Sequence, residues 1–300
     1  MAEKPEAVIT IRNVSKRFGK FTALDDVTFR VEKGKIHGFL GPNGAGKSTT
    51  IKIIMDFIRP SRGQITVFGK DSTKDSVAIK QEVGYLAGDM ELYDNLTGSQ
   101  YLQYVSNLKG DSGYNHLLKF AKSFEAVLDR KIGTLSRGNK QKIALLAALI
   151  GDPDLLILDE PTAGLDPLMQ QKFYHVMREH ARRGKTVLMS SHNLSEVQEV
   201  CDKVTFMKEG KVVDTLDVEK LIASSRHLVT LRFGQRSTVL DPPAAIGAEN
   251  IQRSKITLSF TVAKANRQVL RWIASQDIED ASIVETKLDS VFMTMYKEDE

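Results

Sequence analysis

The chain has 300 residues, room for two domains or one large one. Hydrophobic residues at 41% and charged residues at 27% exclude a disordered or fibrous chain and suit a globular protein with a buried core. The net charge of +4 is small, with signs alternating along the chain, so no nucleic-acid partner is expected; Cys201, the only cysteine, excludes an intramolecular disulfide and a cysteine-based zinc site.

The first residues, Met1 to Glu6, hold no apolar signal segment, and the longest apolar run, Ile143 to Ile150, is too short to cross a bilayer. A cytoplasmic location is the expectation. Ala7 to Ile11 and Val27 to Val31 alternate as strands do, and Gly34 closes a turn before a third strand, Ile36 to Leu40. Directly after it come Gly41, Pro42, Asn43, Gly44, Ala45, Gly46, Lys47, Ser48 and Thr49, a phosphate-binding loop between a buried strand and a helix. Its backbone N–H groups turn toward phosphate oxygens, Lys47 reaches the β- and γ-phosphates, and the Ser48 hydroxyl binds Mg²⁺. The helix that starts near Lys47 adds its positive end. It carries Ile51, Ile53, Ile54, Phe57 and Ile58 and is expected to run until Pro60 stops it. Short strands are predicted at Gly63–Phe68 and Val83–Leu86.

From Leu92 to Leu149 the pattern is helical, with Leu102, Val105 and Leu108 on one face and Leu117, Leu118, Phe120 and Ala121 on another. The strand Leu155–Leu158 follows, then a helix through Met177, the strand Thr186–Met189, a helix at Ser195–Val200, and paired strands at Val204–Met207 and Lys211–Val213. Such alternation predicts a mostly parallel sheet covered on both faces, with Leu92–Leu149 as a helical insertion. Near Ala223 to Arg226 the pattern breaks. Strands at His227–Phe233 and Ile256–Val262, a helix near Ala265–Ala274, a strand near Ala281–Val284 and a last helix from Leu288 make a small α+β domain. The expected division is residues 1–224 and 225–300, with a helical subdomain at about 90–150.

The strand Leu155–Leu158 ends in Asp159 and Glu160, which delivers two carboxylates beside the nucleotide. Asp159 is placed to hold Mg²⁺ opposite Ser48, and Glu160 to polarise the water that attacks the γ-phosphate, which suits a hydrolase.

Three further motifs follow in order: Leu135-Ser136-Arg137-Gly138-Asn139-Lys140-Gln141, then Pro161-Thr162-Ala163-Gly164-Leu165-Asp166-Pro167, then Ser191-His192 at the end of a strand. With the phosphate loop they resemble the signature motif, D-loop and switch histidine of the ATP-binding cassette (ABC) ATPases, over roughly Val8 to Asp214. The resemblance implies an α/β P-loop ABC ATPase fold: a mostly parallel core sheet, an antiparallel β subdomain and a helical subdomain, here with the small C-terminal domain added. It also implies a head-to-tail dimer with each ATP between one phosphate loop and the other subunit's signature. Ser136 and the N–H of Gly138 would then contact the γ-phosphate in trans, and Asp166 would lie at the dimer seam. His192 would donate to the γ-phosphate and orient the water, and Phe18 would stack on adenine. Ser136 is also a suitable helix cap, which agrees with an anion at that helix end.

Two departures from the family pattern stand out. Arg137 and Asn139 replace the usual Gly and Gln of the signature. Gly88 occupies the Q-loop position where a Gln or Glu is usual; it has no side chain for Mg²⁺ or water, and Asp89 is the candidate substitute. Beyond it, Glu91 to Thr97 resembles the stretch that faces a permease. The resemblance therefore implies an ATPase that uses ATP and Mg²⁺, pairs with itself or a related subunit, and sits on the inner face of the membrane through separate permease subunits. Export of drugs, antibiotics or ions is the expected direction. The alternatives are an import subunit, a soluble ABC ATPase without a transporter, and a weakly hydrolysing regulatory subunit.

Overall fold

A computed structural model of the chain describes residues 6–110, 114–223, 226–234 and 239–285. The chain divides into two compact units, Met1–Val218 and Glu219–Glu300.

In the first unit two long strands, β1 (Ala7–Phe18) and β2 (Phe21–Glu32), pair antiparallel, and β1 also pairs with β4 (Arg62–Val67), itself followed by β5 (Lys70–Asp71). Both strands are longer than their alternating apolar stretches. Register shifts along β1, beside Asn13 at φ 49°, let them bend over the core.

The second sheet has the order β10-β9-β3-β8-β7-β6. Here β3 is Ile36–Leu40, β6 Val83–Leu86, β7 Leu155–Leu158, β8 Thr186–Ser191, β9 Lys203–Lys208 and β10 Lys211–Asp217. All neighbours are parallel except the β9–β10 hairpin. β3, β7 and β8 are buried at every residue, as central parallel strands covered on both faces are.

Helix α1 (Lys47–Ile54) stops well short of Pro60: Met55 caps it and Asp56 turns left-handed at φ 51°. Phe57 and Ile58 are therefore outside the helix. Phe57 is half-exposed and stands 5.3 Å from the Tyr85 ring, with Lys80 of α2 (Ser76–Glu82) over its face. Helix α2 has no counterpart among the elements expected from the sequence.

The helical stretch holds α3 (Gly98–Lys109), α4 (Tyr114–Ser123) and α5 (Arg137–Ala148). Thr97 and Gln100 form a reciprocal cap at the start of α3. Leu102 faces inward, but the buried face of α3 runs through Gly98, Leu102 and Ser106, and Leu108, 69% exposed, lies off it. Leu117 and Ala121 of α4 are buried. Helices α6 (Pro167–Arg182), α7 (Leu194–Val200) and α8 (Val218–Ala223) follow.

The second unit is a four-stranded antiparallel sheet of order β12-β13-β11-β14, from Glu249–Arg253, Thr257–Val262, His227–Phe233 and Ile278–Glu285. Alternate residues Val229, Leu231, Phe233, Leu258, Phe260 and Val262 pack with Val269 and Ile273 of α9 (Arg267–Ala274) as a separate core. Asn266 caps α9 by accepting from the N–H groups of Gln268 and Val269. The edge strand β12 was not expected from the sequence, and the helix expected from Leu288 lies outside the described residues.

Candidate functional site

The parallel strands β3, β7 and β8 bring their C-terminal ends together, and each end carries part of the site. The loop Gly41–Thr49 leaves β3 and enters α1. A Cβ on Gly41 would stand 2.3 Å from the Met207 carbonyl, and Gly46 holds φ 103° where α1 begins, so neither position tolerates a side chain.

Lys47 is buried, 5% exposed, and its ammonium donates to the carbonyls of Gly41 at 2.7 Å and Pro42 at 3.0 Å. Burial lowers its pKa, opposed by the carboxylates of Glu160 and Asp159. A cavity of about 240 Å³ opens beside it, lined by Asn43, Gly44, Gly46, Lys47, Ser48, Thr49 and Glu160 from the expected set, together with Phe21 and Ala23. Helix N–H groups, a buried cation and a hydroxyl around one concavity are the donor set for a polyphosphate.

Asp159 and Glu160 follow β7 as expected. Asp159 is buried and accepts from the Ser190 hydroxyl at 2.5 Å. The same oxygen of Ser190 accepts from the Glu160 N–H at 2.9 Å, so one hydroxyl on β8 braces both acids. Glu160 sits at φ 49°, outside the strand conformation, which turns its side chain toward the loop. Its Oε1 lies 4.0 Å from Lys47 Nζ and 3.3 Å from His192 Nδ1. Ser48, Asp159 and Glu160 thus supply hydroxyl and carboxylate oxygens of the kind Mg²⁺ takes, which fits a hard cation beside phosphate.

Gly88 and Asp89 are both exposed after β6, and a Cβ on Gly88 would lie 3.1 Å from Asp159 Oδ2. The Q-loop position therefore abuts the expected metal-binding carboxylate, with no side chain of its own. Asp89 and Asp159 both act on Tyr85, whose hydroxyl is pushed up to about 12, with burial the larger cause.

Phe18 closes β1 opposite Phe21 and is half-exposed, with the Lys16 ammonium 4.9 Å from its ring centre. Phe21, rather than Phe18, lines the cavity. Sequence reasoning missed it because aromatic residues flank this hairpin tip on both sides and only the fold says which faces the loop.

Ser136, Gly138 and Asp166 do not line that cavity. Ser136 is exposed and caps α5, accepting from the Asn139 N–H at 3.4 Å. A Cβ on Gly138 would come within 2.9 Å of the Gly164 carbonyl, and buried Gln141 donates to the Pro161 carbonyl at 2.8 Å. Asp166 is exposed and caps α6 by accepting from the Met169 N–H at 3.0 Å. The signature helix therefore packs on the later part of the loop after β7, at Pro161 and Gly164, while Glu160 at the head of that loop lines the phosphate cavity.

Residues 24–163 match the sequence family described as ABC transporter. The ABC transporter ATP-binding protein NatA of Bacillus subtilis is 38% identical over 229 residues, which cover 73% of this chain and 93% of NatA. The chain belongs to the ABC transporter ATP-binding family. The Lantibiotic transport ATP-binding protein SrtF of Streptococcus pyogenes is 34% identical across 75% of this chain and 95% of its own length. A protein of Escherichia coli described as "Probable multidrug ABC transporter ATP-binding protein YbhF" is 38% identical over 74% of this chain; the match spans only 39% of that longer relative. Among solved structures, an ATP-binding subunit of an ABC transporter superposes with a TM-score of 0.67 at 30% identity, over 71% of this chain and 91% of that one. A bacterial ABC transporter cassette solved as a dimer shares the fold at a TM-score of 0.64 and 24% identity, over 70% of this chain and 98% of that one. Among the described residues no helix is long and apolar enough to cross a membrane.

Proposed function

We propose that this chain hydrolyses ATP to drive a separate membrane permease, as one half of a head-to-tail ATPase dimer on the inner face of the membrane. The observation that carries the reading is the convergence of Lys47 and His192 on one oxygen of Glu160, at 4.0 and 3.3 Å, beside a phosphate-sized cavity. Lys47 neutralises phosphate charge, Glu160 accepts a proton from water, and His192 orients that water and the terminal phosphate. Ser48 and Asp159 would hold Mg²⁺, which would neutralise charge at the phosphates. Exclusion of Ser136, Gly138 and Asp166 from the cavity supports their acting on the nucleotide of a second subunit, as does the dimer form of the related cassette. Asp89 supplies the Q-loop carboxylate that Gly88 lacks.

The permease docks in the groove beside Glu91 to Thr97 and α3, where Tyr93 stands edge-on to Tyr101 and Tyr104. Export is the direction supported by the likeness, 36% identity over 70% of this chain, to a protein of Burkholderia lata named Nod factor export ATP-binding protein I. The test is steady-state ATPase activity of wild type and Glu160→Gln, with size-exclusion of each in ATP–Mg²⁺. Turnover lost in the variant together with an ATP-trapped dimer supports the reading; an active Glu160→Gln removes it.

A further inference from the structure

Glu196 is a buried acid that none of the roles above uses. It lies in the first turn of α7 and is only 5% exposed, in company with buried Leu194, Val197 and Val200. Burial pushes its carboxyl pKa up, against the Ser191 and Thr162 side chains and His192, which favour the charged form, and alongside Glu160, which opposes it. An apolar residue would satisfy the packing at less cost, because a buried carboxyl must be matched by donors.

The donors present are informative. Ser191 donates to Glu196 Oε2 at 2.5 Å, and the Ser191 oxygen accepts from the Asn193 N–H at 2.9 Å. Asn193 in turn accepts from the Ser195 N–H at 2.9 Å, capping α7. These bonds brace the turn on both sides of His192. The other oxygen, Oε1, is buried with no hydrogen-bond partner. Thr162 acts on the carboxyl without closing a bond to that oxygen; it belongs to the loop between Glu160 and Asp166. That loop and the His192 turn leave the neighbouring parallel strands β7 and β8.

We propose that Glu196 is a positioning residue for ATP hydrolysis: its carboxyl holds the Ser191–Asn193 turn that presents His192 and keeps Oε1 for Thr162, fastening that turn to the loop that ends in Asp166. Glu196 touches no reacting atom and acts through His192, so the inference rests on the role proposed above for that residue. A carboxamide at position 196 accepts from Ser191 and donates to the Thr162 oxygen, whereas alanine does neither.

The test measures kcat, KM, binding of a fluorescent ATP analogue and thermal midpoint for the full chain and its variants Glu196→Ala, Glu196→Gln, Ser191→Ala and His192→Ala. Glu196→Ala is expected to lose at least about tenfold in kcat, with KM and analogue affinity within about twofold of wild type. Glu196→Gln recovers to within about threefold, and Glu196→Ala adds no further loss in a His192→Ala background. A folded Glu196→Ala with wild-type kcat overturns the proposal, as does a loss that Gln fails to rescue. Where Glu196→Ala does not fold, Ser191→Ala carries the test, and unchanged kcat in it has the same force. A fully active His192→Ala removes the underlying role and the proposal with it; an inactive His192→Ala beside a fully active Glu196→Ala removes the proposal alone.

Discussion

Lys47 Nζ lies 4.0 Å from Glu160 Oε1 while it donates to two carbonyls of its own loop. The cation that meets phosphate and the carboxylate that meets water are thus set side by side on the ends of β3 and β7. Burial is the largest influence on Lys47 and disfavours its charge, so the ammonium is kept at a cost to the fold.

It follows that Lys47→Met separates function from stability. Differential scanning fluorimetry without nucleotide is expected to give a midpoint no more than about 2 °C below wild type. The upward shift that ATP–Mg²⁺ gives the wild type disappears. A large drop in the first measurement would show that the lysine is part of the framework.

Glu160→Gln keeps the shape of the side chain and removes the proton acceptor. Turnover is expected to fall by at least about 100-fold, with nucleotide binding retained. Ser190→Ala takes the brace from both acids and is expected to lower kcat by a smaller factor, read in the same coupled assay. Equal turnover in Ser190→Ala and wild type would mean that β7 alone fixes the pair.

Asp89→Ala tests the substitution at the Q-loop. Gly88 abuts Asp159 but carries no side chain, and the exposed Asp89 is the next carboxylate along the chain. A fall of about tenfold in kcat with little change in ATP affinity is expected. Unchanged turnover would leave Asp159 to serve without help from this loop.

Much of this candidate site is legible in the sequence. The phosphate loop, Asp159 and Glu160 follow apolar strands that are buried in full, and His192 follows a buried strand whose apolar run ends at Met189, before Ser190 and Ser191. The α1 terminus was misread because Phe57 and Ile58 continue the apolar count, while the turn is made by Asp56 in a left-handed conformation that spacing does not reveal. Leu108 departs from its expected burial for a different reason: the buried face of α3 follows Leu102 and the polar Ser106, which an apolar count passes over, and Leu108 points away from it. Phe21 and Ser190 were missed because their partners are distant in sequence, and Glu196 because a charged residue in the first turn of a helix reads as solvent-facing until the fold buries it. Ser190 meets Asp159 only through β7–β8 pairing, and no local pattern marks a serine inside a buried strand as a brace.

Two buried histidines make acid stability predictable. His37 is fully buried in β3, bonded to Thr205, and its pKa falls to about 3, chiefly through burial and then through Lys203. His180 of α6 falls to about 4 for the same leading reason. Each is neutral when folded and takes a proton near pH 6.5 when unfolded, so the unfolded state binds more protons between those values. Stability is therefore full above about pH 6.5 and declines as pH falls, by up to about 1.4 kcal/mol per pH unit for each group, until the folded pKa is reached. His37→Gln removes one titrating group and is expected to flatten the fall in melting temperature between pH 7 and 5, followed by circular dichroism. A variant with the wild-type slope would locate the acid sensitivity elsewhere.

Ser136 separates a capping role from a catalytic one. Its hydroxyl accepts from the Asn139 N–H at 3.4 Å, longer than a good cap, and the Asn139 side-chain amide also donates to it at 3.3 Å. A cap so loosely made contributes little, and Ser136→Ala is expected to cost less than about 1 kcal/mol of stability. If the hydroxyl instead meets the terminal phosphate of a second subunit, the same variant loses most of its turnover and its ATP-dependent dimer while ATP affinity at the phosphate loop is kept. Size-exclusion in ATP–Mg²⁺, run with Ser136→Ala in the Glu160→Gln background, reads that difference directly. Retention of the trapped dimer would make Ser136 a cap and no more; its loss, with the fold intact, would place the signature helix of one copy over the nucleotide of the other.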